Sequence, residues 1–217
     1  MPDLEQNNIY QQWPAATPLY KLDNPAILNT PVPVYFCPSR RDANSVGVSV
    51  AFSQDSACAN MESTPGSVGD YAACIGTTGY DYTVTLKTNN VEFVIPPNGV
   101  FVQAPAVVRA ADITDGLSHT LLFGEKFIPR GMELKYPYDC NIYDGHNYIC
   151  STRSAGPGFP LAQAPDDPRL VFGGPHPGIC MFAFADGGVR PVRTSIDEVT
   201  LGLLSHRADG LPAPTDY

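Results

Sequence analysis

Proline and glycine punctuate this chain throughout: 22 prolines and 19 glycines fall among its 217 residues, with no short period. A break at about every fifth position excludes collagen and leaves room for strands and turns rather than long helices. Hydrophobic residues make up 43% and charged residues 16%, a globular balance with enough apolar surface for a core. Lys and Arg number 13 against 22 Asp and Glu, a formal charge of −9 with a pI near 4.7. That sign argues against nucleic acid or an anionic membrane surface as partner. No apolar run approaches the roughly 18 residues of a membrane helix. The opening Met-Pro-Asp-Leu-Glu-Gln lacks the basic start and apolar stretch of a signal peptide.

Apolar spacing predicts the elements. Leu4, Ile9 and Trp13 fit a short helix stopped by Pro14, and Val32 to Phe36 fits an edge strand, because Pro33 has no N–H for a ladder. Val46, Val48, Val50 and Phe52 alternate, as do Tyr80, Tyr82, Val84 and Leu86; Val91, Phe93 and Ile95 follow after Asn89-Asn90. These read as strands with one buried face, with a hairpin over 80–95 and a further strand near 99–103. Asp112 to Gly116 reads as a turn, and Thr120 to Phe123 as a strand. Ile179 to Ala185, Asp186-Gly187 and Val189 to Val192 predict a second hairpin whose last strand lies at an edge because of Pro191. Ser195-Ile196-Asp197-Glu198 reads as a capping box opening a helix with an Ile196, Val199, Leu203, Leu204 face, ended by Gly210. The expected fold class is α+β, an antiparallel sheet in a single domain over 1–217, with a turn-rich insertion at about 129–169.

Cys37, Cys58, Cys74, Cys140, Cys150 and Cys180 are an even set without Cys-x-x-Cys or zinc spacing, which favours disulfides in an oxidising compartment over buried cytosolic thiols. Cys140 and Cys150 flank a predicted turn at Asp144-Gly145, and bridging them would stabilise by about 2.5–3 kcal/mol in the chain-entropy model. Their neighbours Tyr136, Tyr138, Tyr143 and Tyr148 crowd the insertion, either as a contact surface for a partner or glycan or as cover for a thin core.

Four fragments carry a resemblance: Pro2-Asp3-Leu4-Glu5-Gln6, Phe36-Cys37-Pro38-Ser39, Asp112-Ile113-Thr114-Asp115-Gly116-Leu117-Ser118-His119-Thr120 leading to Gly124-Glu125, and His176-Pro177-Gly178 with Asp186-Gly187. In that order they resemble a large bacterial family of unknown function, also labelled extracellular solute-binding family 10. Its members carry a prepilin-type leader helix and a C-terminal His-x9-Asp-Gly signature. The resemblance implies a pilin-like head, similar to type IV pilins and type II secretion pseudopilins, whose N-terminal anchor helix precedes Pro2 and is absent from this chain. It also implies a place in the cell envelope, periplasmic or extracellular, among pseudopilin or envelope protein partners, with membrane contact only through the missing helix. Ile179, Met181 and Gly188 depart from the family's usual Gly, Asn and Ser.

Candidate chemistry is sparse. His176 and Asp186 stand at the two ends of a strand of about 3.3 Å rise per residue. They are therefore up to about 33 Å apart, whereas shared metal ligation needs about 2.0–2.6 Å. The expectation is that they act separately, Asp186-Gly187 as a turn and His176 bonded to nearby backbone. Asp112, Asp115 and Glu125 form the candidate calcium set, a ligation similar to that of pseudopilins, with turn capping as the competing role. Asp115, Ser118 and His119 supply triad residue types without a nucleophile elbow, so no enzyme is expected. The leading reading is a non-enzymatic exported pseudopilin-like protein; the alternative is an extracytoplasmic solute- or glycan-binding module.

Overall fold

The computed structural model describes residues 6–13, 24–42, 47–50, 52–56, 59–144, 147–214 and 217; for 52–56 and 59–62 it describes the backbone path alone. The class is α+β, with short helices and strands joined by turns. Contacts group the chain into two compact units: Met1–Tyr71 with Ile128–Ser151, and Ala72–Phe127 with Thr152–Tyr217. The expected insertion at 129–169 is thus divided at Ser151. No helix among the described residues is long and apolar enough to cross a membrane.

The first unit holds α1 (Asn7–Gln11), α2 (Pro25–Leu28) and the antiparallel pair β1 (Phe52–Ser56) and β2 (Ala59–Ser63). Pro25 opens α2, where its missing N–H costs nothing, and Asn24 caps the helix by accepting the Ala26 N–H at 3.1 Å. Pro33 does the same for a 3-10 turn over Pro33–Tyr35, so the expected edge strand at 32–36 is absent. Ile9, Ile27, Leu28, Val32 and Tyr143 form this unit's apolar core, flanked by Trp13, Tyr35 and Ile142.

The valines before β1 behave opposite to their alternation. Val48 and Val50 are exposed while Ser49 is buried, its hydroxyl accepting the Gly66 N–H at 3.1 Å and its own N–H donating to the Gly66 carbonyl at 2.8 Å. Backbone pairing of a loop selects the face here; Val46 lies outside the described residues. Around this core sits an ionic network. Asp70, fully buried, accepts the Cys37 N–H at 2.8 Å and pairs with Arg40 at 3.0 Å and Arg41 at 2.6 Å. Arg41 also forks onto Asp139, likewise buried, at 2.5 and 3.0 Å. Two guanidinium groups thus neutralise two desolvated carboxylates, and removing one partner would leave the other charge buried and unpaired.

The second unit is built on a five-stranded mixed sheet in the order β7-β3-β6-β8-β9. Its strands are β3 (Tyr71–Cys74), β6 (Leu121–Glu125), β7 (Thr152–Arg153), β8 (Ile179–Phe184) and β9 (Val189–Arg193), while β4 (Val84–Thr88) and β5 (Val91–Ile95) form a separate ribbon. β3 and β7 run parallel; β6–β8 and β8–β9 are antiparallel. β8 alternates strictly, burying Cys180, Phe182 and Phe184 against Leu121, Phe172, Val192, Leu201 and Leu204. Each such aliphatic or aromatic side chain contributes about 1.5–3 kcal/mol on burial. The hairpin at Asp186-Gly187 forms as expected, with Gly187 at φ 82°, and β9 ends the sheet with Pro191 opposite Met181.

α3 (Glu198–Ser205) starts later than the expected capping box. Asp197 is the cap, accepting the Thr200 N–H at 2.9 Å, while Glu198 accepts the Gly158 N–H at 2.7 Å. Leu201 and Leu204 face the core while Val199 is exposed, so the buried face differs from the one expected. The β4–β5 ribbon turns at Asn89-Asn90 with φ of 52° and 63°, as read from sequence, but its apolar face is not covered: Leu86 and Phe93, paired across the strands, are 44% and 52% exposed. Residues 99–103 form no strand. Gly124 explains how β6 packs: a Cβ there would come within 2.6 Å of Phe182 Cδ1 and 2.7 Å of Phe172 Cδ1, atoms of two rings that meet edge to face. Gly124→Ala should cost about 1–3 kcal/mol by overpacking, measured as a lower chemical-denaturation midpoint with the slope unchanged.

Candidate functional site

The signature residues fall in the second unit, at opposite ends of β8. At the entrance, Glu125 is buried at the end of β6, and its Oε2 accepts the Met181 N–H at 2.9 Å. Its Oε1 stands 3.2 Å from His176 Nε2. His176 thus meets a buried side chain, and the Gly124-Glu125 and His176-Pro177-Gly178 motifs come together. Gly174 lies so close that a Cβ would overlap the Glu125 carboxylate. The departure at Met181 is immaterial to this contact, because the main chain makes it.

At the far end, Asp186 accepts the Gly188 N–H at 2.8 Å and pairs with Arg190, whose guanidinium also lies 4.6 Å over the Phe184 ring and donates to the Ser118 carbonyl at 3.3 Å. Gly188, another departure, again contributes only its backbone. His176 and Asp186 share no partner in these contacts.

The candidate calcium set does not assemble: no group of three donors within 4.8 Å among the described residues contains two of Asp112, Asp115 and Glu125. Each carboxylate is committed elsewhere. Asp112 accepts the Arg109 N–H at 2.7 Å, closing a 3-10 turn over Ala110–Asp112. Asp115 accepts the N–H groups of Asp209 and Gly210 at 2.7 and 2.9 Å, pinning the chain after α3. Gly116, at φ 101°, supplies the left-handed turn that follows. Asp115, His206 and Asp209 do cluster, but His206 Nδ1 accepts the Ala208 N–H at 3.0 Å and Asp209 accepts that of Leu211 at 2.8 Å, an interlocked turn. Ser118 Oγ and His119 Nδ1 lie 3.1 Å apart on the surface, while both Asp115 oxygens serve backbone, so the triad residue types form no relay.

Cys140 and Cys150 are bridged, with Cα atoms 5.3 Å apart, and both are buried. The loop between them includes a 3-10 turn over Tyr148–Cys150; Gly145 of the expected Asp144-Gly145 turn lies outside the described residues. Cys37, Cys74 and Cys180 are buried thiols, correcting the expectation that all six pair; Cys58 lies outside the described residues. Desolvation pushes the Cys74 thiol up to about 12, which suits a small core residue on β3. The tyrosines also divide. Tyr143 is a core residue, its hydroxyl donating to the Thr30 carbonyl at 3.0 Å, whereas Tyr136, Tyr138 and Tyr148 are half-buried. Sequence reasoning missed Arg40, Arg41, Asp70, Asp139 and Arg190; the adjacent arginines after Phe36-Cys37-Pro38-Ser39 were the one visible signal.

An α+β chain whose signature residues tie loops to a small mixed sheet is the class defined so far. The chain belongs to the family described as "Protein of unknown function (DUF1559)", SBP_bac_10, whose model matches residues 1–199. No curated protein and no solved structure matches it.

Two measurements test the roles assigned to the signature. Glu125→Ala leaves the Met181 N–H without its acceptor and should lower stability by about 1–3 kcal/mol in chemical denaturation, with His176→Ala costing less. The Arg190 side chain, with the Gly188 N–H, holds the Asp186 carboxyl below its ordinary 3.8. A lowered native value means the pair's contribution is complete at neutral pH and is lost as pH falls below 3.8 through that value. Asp186→Asn should therefore flatten the acid limb of the stability profile; an unchanged limb would remove this role.

Proposed function

We propose that this protein is a non-enzymatic, exported, pseudopilin-like component of the cell envelope, held or assembled through an N-terminal helix ahead of Pro2. The observation that carries the reading is membership of the family over residues 1–199, because its members resemble prepilins in their leader. Support comes from the buried Cys140–Cys150 bridge, which suits an oxidising compartment, and from the antiparallel β6–β8–β9 arrangement, which suits a pilin-like head. The signature fits a structural role, since Glu125, Asp112, Asp115 and Asp186 each accept backbone N–H groups.

The test is made on the gene product in its own cells. Envelope fractionation followed by mass spectrometry of the mature N-terminus should find the protein with the membrane and processed at a Gly/Ala-Phe-Thr-Leu-Ile-Glu leader upstream of Pro2. A cytoplasmic protein whose N-terminus is Met1 would overturn the reading.

A further inference from the structure

The bridged loop of the first unit does more than close on itself. Cys140 and Cys150 stand ten positions apart, and the first part of the intervening chain reaches into the core that holds the N-terminal elements. Tyr143 lies with its ring 5.6 Å from that of Trp13, at the end of α1, and its hydroxyl donates to the Thr30 carbonyl just beyond α2. The Ile142 N–H donates to the Ser67 carbonyl at 2.9 Å, and the Ser67 N–H donates to the Leu28 carbonyl at 2.7 Å. Neither α1 nor α2 joins a sheet, so their attachment runs through this small core, of which Tyr143 and Ile142 form one wall.

We propose that the Cys140–Cys150 bridge is a redox clasp for the N-terminal segment: oxidised, it holds Tyr143 in place under Trp13 and Thr30; reduced, it releases α1 and α2 while the rest of the unit stays folded. The step is a thiol–disulfide exchange. Both sulfurs are buried, so the exchange follows a local opening of the loop that admits a dithiol reductant. The reductant attacks one sulfur, the S–S bond breaks, Cys140 and Cys150 each take up one proton and one electron, and the reductant closes to its own disulfide. The freed loop regains conformational entropy that the cross-link had removed. The Arg41 ion pairs with Asp70 and Asp139 do not involve the bridge and hold the 37–41 turn independently. The inference does not depend on the anchor reading above, since it concerns only contacts within this unit.

Hydrogen exchange with mass spectrometry on the full chain tests it. Dithiothreitol should lower amide protection in residues 6–13 and 24–30 by up to about 100-fold, while residues 37–41 keep theirs. Tyr143→Ala with the bridge intact should reproduce the loss, and Cys140→Ser/Cys150→Ser should show it without dithiothreitol and no further change with it. Unchanged protection of 6–13 on reduction, equal loss at 37–41, or full protection of 6–13 in Tyr143→Ala would each overturn the clasp.

Discussion

A carboxylate taken out of water must be met by donors or it destabilises whatever buries it, and Asp70, Asp139 and Glu125, among the buried carboxylates of the described residues, tie loops together by being met. In one unit, Asp70 and Asp139 share Arg41, and Asp70 adds Arg40 and the Cys37 N–H. In the other, Glu125 takes the Met181 N–H and His176. These contacts join residues 29 to 98 positions apart in the chain, so each fixes where a loop returns. With short helices and a narrow sheet, little else in the backbone could impose that order.

Seen this way, the His-x9-Asp-Gly signature is a pair of fasteners at the two ends of one strand. His176 and Glu125 fix the loop entering β8, and Asp186, Gly188 and Arg190 fix the turn leaving it. The bonds made at Met181 and Gly188 use their main-chain N–H groups. That is why Met181 and Gly188 can depart from the family's usual residues without disturbing the geometry, whereas Glu125 makes its contacts through its buried side chain.

The apolar face of the β4–β5 ribbon and the Tyr143 loop show opposite uses of aromatic and aliphatic residues. Tyr143 is spent on the core, where its ring packs on Trp13 and its hydroxyl is satisfied. Leu86 and Phe93 remain on the surface because the ribbon has only two strands and no layer behind that face. The same alternating pattern therefore marks a buried strand in β8 and an exposed one in β4, and alternation by itself cannot tell the two apart.

Local chemistry determined much of the outcome before any tertiary contact. Asn89-Asn90 and Asp186-Gly187 are turns because those residues tolerate positive φ, and the alternation of 179–184 makes β8 because successive side chains point to opposite faces. Tertiary structure alone decided which carboxylate meets which cation, which thiols stay unbridged, and which face of 47–50 goes inward, where Ser49 rather than its valine neighbours is buried. Those outcomes depend on partners distant in sequence. Hydrogen-bond and ion-pair satisfaction at a buried site is a property of the assembled neighbourhood, and no local pattern encodes it.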